Sequence, residues 1–207
     1  IALVYAEGMI LSGESTDSPF GGSILGDETF VEAMAEARED EDVRAVVIRV
    51  NSPGGSATAS DAMWHAVKET AAMKPVIVSM GGVAASGGYY LAAPADTIVA
   101  DPLTITGSIG VIYQILDVGG FFNEKIGITF DPVTSAPHAD VFSGLRELTE
   151  TEVQMLQRDV SATYDTFVSR VAEGREGVAR GHAEGRLAAG GWGSVSGLAG
   201  RLARRGR

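Results

Sequence analysis

The sequence predicts an α/β fold, and three observations carry that prediction. Residues 44–50 (RAVVIRV) and 75–80 (PVIVSM) are short β-branched runs, each ending at a glycine-containing turn. Segments of helical character lie between and beside these runs. A long periodic segment closes the regular part of the chain, over about residues 149–173. Strands alternating with helices imply neighbouring strands joined by right-handed crossovers.

The elements follow in order. Residues 1–5 (IALVY) read as a strand, continued or followed by 9–11, and residues 12–26 are rich in Ser, Gly and Asp and read as a loop. Asp27 opens a helix with Phe30, Val31, Met34 and Ala37 on one face and acidic residues on the other. The strand at 44–50 ends in Asn51-Ser52-Pro53-Gly54-Gly55, and an Ala-rich helix follows over 56–73. Lys74-Pro75 stops that helix and starts the next strand, which Gly81-Gly82 breaks. Residues 84–93 suit a helix with a small-residue face, and 97–100 suit a short strand. Thr149 with Glu152 forms a capping box. Val153, Leu156, Val160, Tyr164, Phe167, Val168 and Val171 then recur at three and four. No internal repeat is found.

Composition narrows the function. The chain has 207 residues, 45% of them apolar, enough for a sizeable core. No run of eighteen apolar residues and no leader pattern is present. The chain begins at Ile1 inside a strand-like stretch and so reads as a piece of something longer or as a processed product. A net charge of −11 argues against a nucleic-acid partner. With no cysteine, and with His65, His138 and His182 too far apart for ligand spacing, no metal and no cofactor is expected.

Two glycine-containing turns are the site candidates. In Asn51-Ser52-Pro53-Gly54-Gly55-Ser56 the paired glycines expose backbone N–H groups that can hold an oxyanion, or simply make a tight turn before a helix. In Gly81-Gly82-Val83-Ala84-Ala85-Ser86-Gly87-Gly88-Tyr89-Tyr90, Ser86 falls on the first turn of a helix among small neighbours. A serine there is placed as a nucleophile with oxyanion donors beside it, or else belongs to a helix packed on a sheet.

Together these turns resemble the Clp-protease/crotonase superfamily, and within it the signal peptide peptidase A family of serine–lysine proteases. Supporting stretches are Ala6-Glu7-Gly8-Met9-Ile10, Val78-Ser79-Met80-Gly81, Pro94-Ala95-Asp96 and Thr106-Gly107-Ser108-Ile109-Gly110-Val111. The resemblance covers Ile1 to about Gly174. It implies repeated ββα units with helices packed on the sheets. It assigns Ser86 as nucleophile, the N–H of Gly55 or Gly54 with that of Gly87 as oxyanion hole, and Ser108 as a hydroxyl supporting the general base.

The base itself is missing. Single-length members of the family carry a Lys-Asp pair later in the chain. The corresponding segment here runs Thr134-Ser135-Ala136-Pro137-His138-Ala139-Asp140, and Ala139 stands at the lysine position. Lys68, Lys74 and Lys125 read as surface lysines. The duplicated members of the family offer an explanation: their C-terminal half bears the serine and their N-terminal half supplies the lysine. This chain resembles the serine-bearing half. A Ser86–His138 dyad is the rival arrangement.

The resemblance implies a peptidase acting on membrane-associated signal peptides or other extended peptides. It would sit at the extracytoplasmic face of the bacterial cytoplasmic membrane, anchored by a segment outside this sequence and assembled into a ring or dome. Alternatives are a phage-type capsid maturation protease, an acyl-CoA enzyme of the crotonase type, and a catalytically incomplete structural homologue. Residues 1–173 carry a net charge of −16, whereas 174–207 hold seven Arg, two acids and ten Gly. The expected organisation is therefore a peptidase domain over 1–174 and a divergent tail over 175–207, disordered or arising from a reading-frame shift.

Overall fold

A computed structural model describes residues 1–18 and 22–175. The chain divides into two compact units, one made of Ile1–Gly110 with the segment from Thr166, the other of Val111–Asp165. The expected tail lies outside the described residues apart from Arg175.

The first unit is built on a sheet of strands β1 (Ala2–Leu11), β2 (Thr16–Ser18), β3 (Gly22–Gly26), β4 (Val46–Gly55), β5 (Val76–Ala85), β6 (Thr97–Val99) and β7 (Ile105–Gly107). Their order is β2-β3-β1-β4-β5-β6, and β7 pairs with the far end of β5. Every pairing is parallel except the short β2–β3 hairpin. Parallel neighbours need crossovers. Two of these are α1 (Asp27–Glu39) between β3 and β4, and α2 (Ala57–Ala71) between β4 and β5.

The core follows the period-two pattern of the strands. Val4, Ala6 and Ile10 of β1, Val46, Ile48 and Val50 of β4, and Val76, Val78 and Met80 of β5 are buried. They share one core cluster with Phe30 and Met34 of α1 and with Met63, Trp64 and Val67 of α2. The alternate β1 positions Leu3, Tyr5 and Met9 are exposed.

Three local expectations are corrected. Residues 12–26 contain β2 and β3 rather than a plain loop, because polar and glycine residues pair at a sheet edge without a hydrophobic signature. The Asn51–Gly55 stretch is the end of β4, where Met9 pairs with Gly54 and Ile10 with Gly55. Gly81-Gly82 does not end β5. The strand runs on to Ala85, with the Val83 N–H donating to Asn51 Oδ1 (3.2 Å) and Thr104 Oγ1 donating to the Gly81 carbonyl (2.8 Å).

The second unit holds a single helical turn, α4 (Gly119–Phe121), that runs into a π-helical turn at Phe122–Ile126. It also holds the first part of α5 (Glu150–Gly174), whose last turns belong to the first unit. Among the described residues no apolar side chain of this unit is fully buried. A polar knot around Glu152 orders the approach to α5 instead. The Glu152 carboxylate accepts from Arg146 (2.7 and 2.9 Å), from His138 Nδ1 (2.8 Å) and from the Thr149 N–H (2.8 Å). Arg146 also clamps Asp140 with two bonds of 2.6 and 2.8 Å. The Thr149–Glu152 capping box is thus present, enlarged by the arginine and histidine.

Arg146 first, then His138 and the Thr149 amide, hold the Glu152 carboxyl well below its ordinary 4.5. A depressed carboxylate stabilises the fold above its unfolded pKa, and the contribution is lost as pH falls below it. Hydrogen-exchange protection over residues 138–152 should therefore hold at neutral pH and decline progressively below about pH 4.5. In a Glu152→Gln variant it should be weaker at neutral pH and fall less with acid, the remaining pH dependence coming from Asp140, which Arg146 still holds. An unaltered acid profile in that variant would show that the knot is not the source.

Candidate functional site

β5 ends at Ala85 and α3 (Gly87–Ala92) begins two residues later, so Ser86 is the whole of the strand-to-helix turn. The sequence expects Ser86 in the first turn of a longer helix, and the structure places it at the N-cap. Its backbone sits at φ 50° and ψ −119°, a conformation that costs a non-glycine residue on the order of 1–3 kcal/mol. The turn persists because both sides fix it. The Ser86 N–H donates to the Gly107 carbonyl (2.8 Å), and the Ser86 carbonyl accepts from Tyr89 and Tyr90 (3.0 and 2.9 Å). A sharp turn of this kind projects a serine hydroxyl away from its own backbone. Ser86 is partly exposed, and among the described residues its hydroxyl has no hydrogen-bond partner.

Helix α3 is only six residues long, so its position depends on its neighbours. The Tyr90 hydroxyl donates to Asp61 Oδ1 of α2 (2.6 Å), and Arg170 Nε of α5 donates to the same oxygen (3.2 Å). Burial and the adjacent carboxylate push the Tyr90 phenol up, which keeps it a donor. The Tyr90 ring lies 4.7 Å from that of Phe167, and the Arg170 guanidinium stacks 4.0 Å over Trp64. Sequence reading misses this clasp. Its partners lie from 29 to 109 residues apart, with no local pattern to join them.

The two glycine turns meet. Gly54 has φ 96°, and a Cβ built on it would lie 2.5 Å from the Gly87 nitrogen, 2.8 Å from Ser86 Cβ and 3.0 Å from the Ala85 carbonyl. Only a glycine lets β4 approach the serine turn this closely. A Cβ on Gly87 would meet Ser60 Oγ at 2.3 Å, so the helix start is equally tight from the α2 side. Gly55 is exposed. Its neighbour Ser56 gives its N–H to Ile10 on β1 (2.8 Å).

Ser108 is brought to the same place. β7 pairs Gly107 with Ala85 in parallel register, so Ser86 and Ser108 each follow one member of that pair. Ser108 also has a positive φ, 49°. Ser86, Gly55, Gly87 and Ser108 therefore gather at one end of the sheet, all within the first unit.

The two lysines of the first unit are engaged away from Ser86. Lys68 pairs with Glu173 and lies 4.7 Å from the Trp64 ring. Lys74 reaches the Ala37 carbonyl at the end of α1 (2.9 Å). Lys125 is exposed on the π-helical turn of the second unit. In that unit His138 gives Nδ1 to Glu152, and Ala139 lies between the anchored His138 and Asp140. His182 lies outside the described residues.

This arrangement can polarise and attack a carbonyl carbon, given a base. Comparison with known proteins agrees with that chemistry. The family model for peptidase family S49 matches residues 68–193, continuing nineteen residues past Gly174, and the Clp protease model matches residues 25–102. Both matches contain Ser86. Protease 4 of Salmonella typhi is 42% identical over 85% of the chain, and the serine protease SPPA, chloroplastic, of Arabidopsis thaliana is 38% identical over 84%. The chain spans only 28% and 26% of the length of these two relatives. Among solved structures, the N165D mutant of ClpP1 from Listeria monocytogenes superimposes with a TM-score of 0.52 at 14% identity. That match covers 88% of this chain and 77% of the other. The α/β architecture is thus a Clp-protease/crotonase-like one.

Proposed function

The chain belongs to peptidase family S49, and from that premise we propose that it is the serine-bearing part of a Ser–Lys endopeptidase of the signal peptide peptidase A type. The observation that carries the reading is the meeting of Gly54 and Gly87 around the strained Ser86, whose hydroxyl has no partner among the described residues. Ser86 Oγ attacks the scissile carbonyl and passes its proton to a lysine amine from outside this sequence. The oxyanion is held by the N–H groups of Gly55 and Gly87. The lysine, kept neutral by burial and oriented by the Ser108 hydroxyl, returns the proton to the leaving amine. Water then hydrolyses the acyl-serine.

The substrate class is an extended apolar peptide with small residues at the cut, such as a signal peptide, since Ala84, Ala85, Gly87 and Gly88 leave little bulk beside Ser86. The peptide lies along the sheet as an added strand. We place the protein at the extracytoplasmic face of the bacterial cytoplasmic membrane, in a ring or dome of copies. No helix among the described residues is long and apolar enough to cross a membrane, so the attachment is assigned to a segment outside them. The tail from 175 is assigned no part in catalysis.

The test is reconstitution. The isolated chain is expected to show no appreciable peptidase activity, because Ala139 stands where the family carries its lysine base. Adding the remainder of the full-length protein should raise turnover at least about 100-fold, within the range general-base catalysis supplies. Robust hydrolysis by the isolated chain, abolished by His138→Ala, would transfer the role of base to His138. Hydrolysis by neither preparation would leave a structural homologue.

A further inference from the structure

We propose that Ser52 is a positioning residue for the oxyanion pocket: its buried hydroxyl takes the Gly54 amide and so presents the Gly55 amide to the carbonyl attacked by Ser86. The proposal rests on the peptidase reading above and adds a residue to it.

Ser52 is fully buried, which is unusual for a serine one residue from an exposed proline. Its Oγ accepts the Gly54 N–H at 3.1 Å, closing a small turn over Pro53. Its backbone pairs with Ala84 in the β4–β5 ladder, just after the register shifts beyond Val50. Its carbonyl faces α3 so closely that a Cβ built on Gly88 would lie 2.7 Å from it. One side chain therefore sits among the end of β4, the end of β5 and the start of the serine helix.

The donors can be counted along the turn. Pro53 has no N–H. The Gly54 N–H is committed to Ser52. Successive N–H groups of a strand point to opposite neighbours. Ser56 sends its N–H to Ile10 on β1, so the Gly55 N–H points the other way, toward β5 and the serine turn. Of the two glycines, Gly55 is thereby the oxyanion donor. Without the Ser52 hydroxyl, the Gly54 amide has no partner in the turn. The Gly54–Gly55 peptide is then free to rotate its N–H away from the reacting oxygen.

The experiment uses the full-length protein and two variants, Ser52→Ala and Ser52→Cys. The cysteine keeps the volume but is a poor acceptor. Three quantities are read: steady-state kinetics on a peptide substrate, affinity for a peptide boronate that forms a tetrahedral serine adduct, and amide exchange at Gly54 and Val50. Both variants are expected to lose about 10- to 100-fold in kcat, less than removal of a whole donor, with KM within about twofold. Boronate affinity should fall in parallel. Gly54 should exchange at least about tenfold faster while Val50 stays protected. Unchanged kcat and boronate affinity overturn the proposal, as does loss of Val50 protection together with that of Gly54, which makes the role purely structural. Ser86→Ala serves as the separate control. If it leaves boronate affinity intact, the peptidase reading fails, whatever Ser52 does.

Discussion

Ser86→Ala in the full-length protein should reduce kcat by at least about 10⁴-fold while peptide binding stays within about twofold. Loss of a serine nucleophile costs this much because no other group can form the acyl intermediate. The local structure supplies the reason for a serine here. The residue occupies φ 50° at the junction of β5 and α3, where glycine would be less strained. Its hydroxyl makes no hydrogen bond within the described residues. On the proposed mechanism, a side chain kept in a costly conformation without a structural bond is placed for reaction rather than for stability. The substitution should accordingly change stability by no more than about 0.5 kcal/mol, since alanine bears the same backbone strain and no bond is lost. Turnover and unfolding measured on one preparation separate the two effects. Retained activity in the alanine variant would remove Ser86 from the mechanism.

The residues proposed for this site stand out in the sequence, but their arrangement is only partly legible there. Gly54, Gly55, Ser86 and Gly87 announce themselves because small residues cluster after β-branched runs, and such clustering is a local signal. Their meeting is not local. It follows from β4 and β5 lying side by side and both extending past the glycines that read as strand ends. Glycine-rich strand ends resemble turns because the pattern of alternating apolar residues stops there. Their continuation depends on long-range bonds, such as the Val83 N–H to Asn51 and the Thr106 hydroxyl to the Ala84 carbonyl. β7 was hidden for the same reason, being three residues long and paired, among the described residues, with β5 alone. The first helix was readable from its face, and Phe30, Met34 and Ala37 are buried as expected. The long helix was readable over its whole length, yet its apolar stripe is fully buried only at Phe167 and Val171. At its start Val153 is exposed, and the ordering comes instead from Glu152, a charged residue that a hydrophobic pattern assigns to solvent.

Gly54→Ala should be the most damaging single-methyl change at the site, costing about 2–6 kcal/mol of stability and at least about 100-fold in kcat. Two costs add. The backbone at φ 96° is strained for any residue with a Cβ. The added methyl also meets the Gly87 nitrogen, the Ser86 Cβ and the Ala85 carbonyl, all at 3.0 Å or less. None of these is the end of a flexible side chain, so relief requires β4 to withdraw from the serine turn. That withdrawal carries Gly55 away from Gly87 and parts the two proposed oxyanion donors. Gly127→Ala is the informative control. Its φ of 75° is also positive, in the αL region, but a Cβ there meets nothing within 4 Å. It should cost only the conformational part, about 1–3 kcal/mol, and leave kcat unchanged. Chemical denaturation of both variants compares a positive-φ glycine with and without close contacts. If Gly54→Ala is no worse than Gly127→Ala in stability and retains turnover, the close approach of β4 to Ser86 is not what the site depends on.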